Sequence, residues 1–592
     1  MTNRVPPKIL PRIARDELER AIAARAPIEG RTLDSVDLRG RDLRGLSFVG
    51  SLFLRGKLDG ARLDDARFER CRFVQVSAVK AALARASFVG ASLSSCDLRR
   101  VNLEHGDLSG AQLLSSSFDE ARLDGARLVG LTLAQTSLKS ATLLRADLGE
   151  ARFVGADLSG ADLTSATLSK TAFAESRARG ARFSGARVSK SVFTGVDLSD
   201  AKLDGAEVEG SVFRTTDLRG AALPKKLQGS TFDDVKLTRE ALAGADLSRS
   251  EVEGVAVEGA DLRDCDLSGV VFREVDLTGV DLSNLALERA VFIGCKLGRA
   301  KLAGARIEKA VFQRCDLDGA DLGDRPIKLA IFPESTLRGA SFARARLELV
   351  SLDKADMTGA NFESATVKHG TMDGAELRGA NVKGAHLEGV HLERVDLSSL
   401  DLAGITLKRC NLSGANLSSK DLRGADLSFS LLCRANLAGA NLANARLDSA
   451  NLEDSTLDGA TLEGARAKGA CLRRASLVRV DARRVNLRRA TLAEAKLGEA
   501  VLANADLRDC NLENAQARRT TFIGANLKYA DLSHAKLAEA DLRDAELFGA
   551  KLHNVDDAKA SMPASRATAK PTDLERLQAE AWTPPPIGKE DQ

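Results

Sequence analysis

Aromatic side chains are scarce in this chain: 4% of 592 residues, with a single Trp and a single Tyr. A core built on large rings is therefore excluded, and apolar burial has to come from Leu, Ala and a minority of Phe. An excess of charge of one sign is missing too. Lys and Arg number 86 against 83 Asp and Glu, a formal charge of +3. Electrostatic recognition must then rest on local clusters rather than on the chain as a whole. No run of about eighteen apolar residues occurs, which excludes a membrane-spanning helix. The opening MTNRVPPKILPRIARDELER has no apolar h-region and does not read as a secretory signal. The expected address is the cytoplasm.

Catalytic signatures are missing as well. There is no His-Glu-x-x-His and no Cys-x-x-Cys. Gly56-Lys57 is followed by Leu58 and Gly588-Lys589 by Glu590, so neither makes a phosphate-binding loop. The six histidines are scattered. His386 and His391 look paired in GAHLEGVHLER, but they sit one repeat unit apart and are expected to diverge by about a right angle. The reading is a protein that is no enzyme, with no cofactor and no metal.

What the chain has is a repeat. From residue 31 a large apolar residue recurs every fifth position: Leu33, Leu38, Leu43, Phe48, Phe53, Leu58. The phase holds to Leu223, slips by one residue after Pro224, resumes at Leu227 and Phe232, and ends at Leu552. That makes about 105 pentads, about 90 of them centred on Leu or Phe. Two residues before each centre stands a small residue, usually Ala, and Gly often follows two after it, as in GADLSGADL. A period of five fits neither the 3.6 of a helix nor the 2.0 of a strand. It fits a chain that turns a corner once per unit, and Leu158-Ser159-Gly160-Ala161 has Gly where a type II turn needs positive φ. The tandem A-(D/N)-L-x-x pattern resembles the pentapeptide-repeat family over about nine-tenths of the chain. The resemblance is specific for fold and silent on activity. Some members are bacterial secretion effectors or accessory proteins, and some short, strongly acidic, dimeric members mimic nucleic acid and bind a type II topoisomerase. This chain is slightly basic and much longer.

A second period overlies the first. Phe occupies centres 53, 73, 153, 173, 193 and 213, then 232, 272, 292, 312 and 332, with a shorter series at 48, 68 and 88. Like centres therefore stack every four pentads. The expected fold is an all-β solenoid, a right-handed quadrilateral β-helix of about 26 four-pentad coils, on the order of 125 Å long at the usual strand spacing. One repeat domain is expected over 31–552, with the slip at 224–227 as a shortened corner. Residues 1–30 form an N-terminal cap, with a helix near 12–25 that places Ile13, Leu18 and Ile22 on one side. Residues 553–592 read as a flexible tail, with SMPASRATAKPTD as linker and a helix over 572–582. Its Leu574, Leu577 and Trp582 either cap the last coil or dock a partner.

Seven of the nine cysteines (Cys71, Cys96, Cys265, Cys295, Cys315, Cys410 and Cys510) take the small inward position and read as buried filler. Cys433 and Cys471 face outward. Two surface features rise above the repeat. One is a basic collar that includes Arg473, Arg474, Arg483, Arg484, Arg488 and Arg489, either an anion or partner contact or a cluster balanced by acids such as Glu463 and Glu494. No aromatics interleave with it to stack bases. The other is a row immediately before the stacked Phe series: Val192, Val212, Thr231, Val271, Val291, Val311 and Ile331, interrupted by Glu251. It is either a binding stripe for a protein partner or a second copy of the chain, or simply β-branched residues suited to a strand. Inward charges at Arg41, Lys225 and Arg325 lie at irregular places. Lys420 does not, and calls for a widened corner or a nearby carboxylate. The function expected is a rigid interaction scaffold or adaptor. The alternatives are a topoisomerase-binding nucleic-acid mimic or direct nucleic-acid binding through the collar.

Overall fold

A computed structural model of the chain describes residues 10–255, 260–402 and 405–583. These fall into two compact units, Met1–Leu297 and Gly298–Gln592. Each unit is a parallel β-solenoid, and the pentad explains why. Ala156, Leu158, Ala161 and Leu163, the small residue and centre of two successive units, are at most 1% exposed. Between them the chain turns at Gly160, with φ of 68°, and the N–H of Ala161 donates to Leu158 O at 2.9 Å. That is the positive φ and the closing bond a type II turn requires.

The remaining backbone groups pair with the next coil. Leu158 N donates to Arg177 O at 2.7 Å and Gly160 N to Arg179 O at 2.9 Å. Four such ladders run in parallel, seen in the pairs Asp37↔Lys57, Asp42↔Arg62, Ser47↔Arg67 and Leu52↔Arg72, each joining residues twenty apart. Three-residue strands form where the backbone is most extended, among them Val192–Thr194, in register with Val212–Arg214. Phe173, Phe193, Phe213 and Phe232 stack inside with centroid spacings of 4.9, 4.9 and 5.3 Å. The last step spans nineteen residues, with Val212 pairing with Thr231. The missing residue is taken up beside Pro224, where Glu207 pairs with Lys226.

In the second unit the strands Pro326–Lys328, Arg346–Glu348, Thr366–Lys368, His386–Glu388 and Thr406–Lys408 make one parallel sheet. Single-residue pairs continue it from Thr406↔Asp426 to Asn526↔Glu546, and ladders on two other faces run on to Asp541↔Ser561 and Lys551↔Lys570. Residues that read as linker after Leu552 thus add backbone pairing to the last coils. Ser561 N donates to Ala540 O at 2.8 Å and Lys570 N to Ala550 O at 2.7 Å. These bonds use only main-chain groups, so the pentad pattern can fade without ending the ladder.

Helix α1 (Arg15–Ala23) is shorter than the 12–25 segment expected, because Arg12 and Ile13 instead pair with Thr32. It buries Leu18 and forms ion pairs from Glu17 to Arg31 and from Glu19 to Arg41, so Arg41 stands exposed beside the helix rather than inward as expected. Helix α2 (Leu574–Ala581) is capped by Asp573, whose side chain accepts from Arg576 N. Lys225 is exposed too, whereas Arg325 is buried and Lys420 half-buried, and carbonyls meet all three. Lys225 Nζ donates to Ala243 O at 2.8 Å. Arg325, 7% exposed, donates to the carbonyls of Asp321, Gly323 and Leu302. Burial pushes its pKa down. Lys420 Nζ reaches Leu400 O at 2.9 Å, and hydrogen bonds from Ser398, with a smaller pull from the Lys420 charge, hold the Asp396 carboxyl low.

Candidate functional site

Along a three-residue strand the centre points in and its two neighbours point out. The residues before the stacked Phe series therefore form a surface row. In the first unit Val192, Val212, Thr231, Glu251, Val271 and Val291 are successive register partners. Val192 is exposed and the others are half-buried, each shielded by the coils on either side. Glu251 does not leave a bare charge, since Arg273 Nε sits 2.7 Å from its Oε1. In the second unit Val311 pairs with Ile331, and both are half-buried.

A further apolar row lies one residue past the centre on the same sheet of the first unit. Leu54 pairs with Val74, and the ladder continues through Ser94, Leu114, Ala134, Val154 and Ala174 to Thr194. Leu114 and Val154 are each 48% exposed. The apolar edge thus changes sides of the centre between Val154 and Val192. The same twenty-residue period, read one residue after the centre, is the sequence signal that would have found it.

The basic collar is paired rather than bare. Arg474 meets Asp454 at 2.7 Å and Glu453 at 2.8 Å, Arg473 meets Glu494 at 3.1 Å, and Arg488 meets Asp509 at 3.4 Å. Arg483 chelates Asp481 at 2.7 Å, and Arg484 pairs with Glu463. Arg489 turns its corner at φ of 60°. Acids on neighbouring coils therefore offset most of the patch, which weakens it as an anion site.

Cys71, Cys96, Cys265, Cys295, Cys315, Cys410 and Cys510 are buried thiols outside any disulfide, whereas Cys433 and Cys471 are half-buried. Burial pushes the thiols of Cys71, Cys410 and Cys510 up to about 12.

Leu574 of α2 and Trp582 just past its end are each 68% exposed, and Leu577 is half-buried. Polar contacts hold the helix. Arg576 pairs with Glu513 at 3.4 Å, and Glu580 lies 3.1 Å from His553 Nε2 and 3.2 Å from His534 Nε2. The hydrogen bond from His553 and that from Arg576 hold the Glu580 carboxyl down near 2. His534, His553 and Glu580 come from two coils and the tail, a grouping no spacing in the sequence announces. Their side-chain ligand atoms all lie within 4.8 Å of one another.

The family described as "Pentapeptide repeats (8 copies)" matches twelve segments between residues 79 and 556, with the longest gap at 225–257. No curated protein sequence matches the chain. Among solved structures, QnrB1, a plasmid-mediated fluoroquinolone resistance protein, is 22% identical over 36% of this chain and 88% of its own, with a TM-score of 0.24. HetL, a pentapeptide repeat protein involved in heterocyst differentiation regulation from Nostoc sp. strain PCC 7120, is 22% identical over 52% of this chain and 96% of its own, with a TM-score of 0.12. Rfr23 from the cyanobacterium Cyanothece 51142 is 28% identical over 17% of this chain and 60% of its own, also at 0.12. No helix among the described residues is long and apolar enough to cross a membrane.

Proposed function

The chain belongs to the pentapeptide-repeat family, and from that premise we propose that it is a non-catalytic scaffold that binds protein through one face of its solenoid. The observation that carries this reading is the register-paired apolar row Val192, Val212, Val271 and Val291. It stands on a surface otherwise laced with ion pairs, and an apolar patch on such a surface marks an interaction site. The row of Leu54, Val74, Leu114 and Val154 carries the apolar edge onto earlier coils of the same sheet.

The scaffold we infer is a right-handed, four-sided coil of about 26 turns in all, a reading supported by four ladders repeating every twenty residues. Nine thiols outside any disulfide suit a reducing compartment such as the cytoplasm. The tail serves as a second docking element, because Leu574 of α2 and Trp582 just past its end face solvent. Near-neutral net charge and the paired collar weigh against nucleic-acid mimicry and against direct nucleic-acid binding. A role linked to bacterial secretion is compatible with a scaffold of this kind.

Replacing Val212, Val271 and Val291 together with Asp is the direct test. Capture of partners from the native host, or a self-associated mass in light scattering, is expected to be lost while the circular dichroism of the solenoid is kept. Unchanged capture and unchanged mass would remove the face from consideration. Capture with and without residues 553–592 tests the tail. Identical partner sets from both baits would discard it as a docking element.

A further inference from the structure

We propose that His534, His553 and Glu580 form a binding site for a borderline divalent cation of the zinc class, which clamps helix α2 onto the last coils of the repeat. The proposal is independent of the apolar face. Two imidazoles and one carboxylate are a donor set suited to zinc, cobalt or nickel rather than to magnesium or calcium, which prefer oxygen alone. The spacing also fits. Donors 2.0–2.2 Å from a tetrahedral ion stand about 3.4 Å apart. Here Glu580 Oε2 is 3.1 Å from His553 Nε2 and 3.2 Å from His534 Nε2. The two rings meet edge to face, 5.0 Å between centroids at 82°, and the three ligand atoms all lie within 4.8 Å of one another.

The surroundings supply an outer layer. Arg576 Nε donates to Glu580 Oε1 at 2.6 Å, which occupies that oxygen and leaves Oε2 as a single donor. His553 is 3% exposed, so its ring is fixed by packing. Asn554 Nδ2 lies 3.2 Å from His534 Nδ1, and a half-turn of that amide would offer Oδ1 to a ring proton there. At His553, the backbone N–H of Asp573 donates to Nδ1 at 3.1 Å. That contact places the ring proton on Nε2, where it is donated to Glu580. An ion on Nε2 moves the proton to Nδ1, and two N–H groups would then face each other. Loading the site therefore turns the Asp573 N–H away from Nδ1, while the Asp573 side chain that caps α2 keeps its bond from Arg576 N.

The test is a titration of the full chain with Co²⁺ in the presence of a phosphine reductant, followed by displacement with Zn²⁺. One equivalent is expected to bind with ligand-field bands of a nitrogen and oxygen site and no thiolate charge-transfer band. Cys433→Ser with Cys471→Ser is expected to leave it unchanged. His534→Ala, His553→Ala and Glu580→Gln are each expected to weaken it at least about tenfold. A readout on the unmutated protein accompanies these variants, in which Zn²⁺ slows tryptic cutting after Arg576. The site is overturned by absence of saturable binding, by a thiolate spectrum that vanishes with the cysteines, by indifference to the three substitutions, or by unaltered tryptic cutting with metal bound.

Discussion

Leu349 turns its corner at φ of 56° with half of its side chain in water. An L side chain in this region carries a cost of about 1–2 kcal/mol that Gly does not, and Gly occupies the equivalent corner at 359 and many others. Its greater freedom in the unfolded chain offsets part of that difference. Leu349→Gly is therefore expected to stabilise the chain by about 0.5–1 kcal/mol, read as a higher denaturant midpoint. A lower midpoint would show that the exposed Leu makes a contact of its own. The cysteines make a second case at this scale. Thiols that are buried and held protonated do not react, so brief alkylation of the native protein followed by mass spectrometry should label Cys433 and Cys471 first. Early labelling of Cys71 or Cys510 would mean that the coils open locally.

At the scale of the element, the stacked ring is the unit of stability. Phe193 lies between Phe173 and Phe213, 4.9 Å from each. Phe193→Ala is expected to cost about 3–5 kcal/mol. In a solenoid each coil contacts only its neighbours, so hydrogen exchange should accelerate around residues 171–215 and stay unchanged near Leu497. A uniform acceleration would show that the chain opens as one block. This ladder was legible because identical side chains repeat at fixed spacing, and even the slip could be located from Phe213 and Phe232. The row of Val192, Val212 and Val291 was legible for the same reason. The row of Leu54, Val74, Leu114 and Val154 was not, because Ser94 and Ala134 interrupt it and blur the period. Pairing beyond Leu552 left no side-chain pattern at all, being main chain to main chain. The meeting of His534, His553 and Glu580 depends on how α2 lies against the coils, which no repeat encodes. Arg325 illustrates the same limit, since carbonyls that satisfy a buried guanidinium are invisible in a sequence.

Across the whole molecule, charge is arranged in short local clamps, and this sets how stability responds to pH. Asp37 with Arg39 and Asp261 with Arg263 are pairs two residues apart, while Glu539 is held by Arg519 and Arg518 of the preceding coil. The hydrogen bonds from these guanidinium groups hold all three carboxyls near 2. A carboxyl held low in the folded chain contributes fully above its unfolded value of about 4 and loses that contribution as pH falls toward 2. Exposed pairs are individually weak and screened by salt, so the acid limb should be gradual and shallower at high ionic strength. The alkaline limb has another origin. Cys71, Cys410 and Cys510 are pushed up to about 12 by burial, whereas an unfolded thiol ionises near about 8.5. Folding then holds protons that the unfolded chain releases, so stability is full below about 8.5 and declines as pH rises toward 12. The urea midpoint should therefore be level between about pH 5 and 8 and fall on both sides, with only the acid side responding to salt. Replacing Cys71, Cys410 and Cys510 with Ala should flatten the alkaline limb without moving the acid one. If it does not, the alkaline loss belongs to the lysines and arginines of the clamps, and the buried thiols are packing alone.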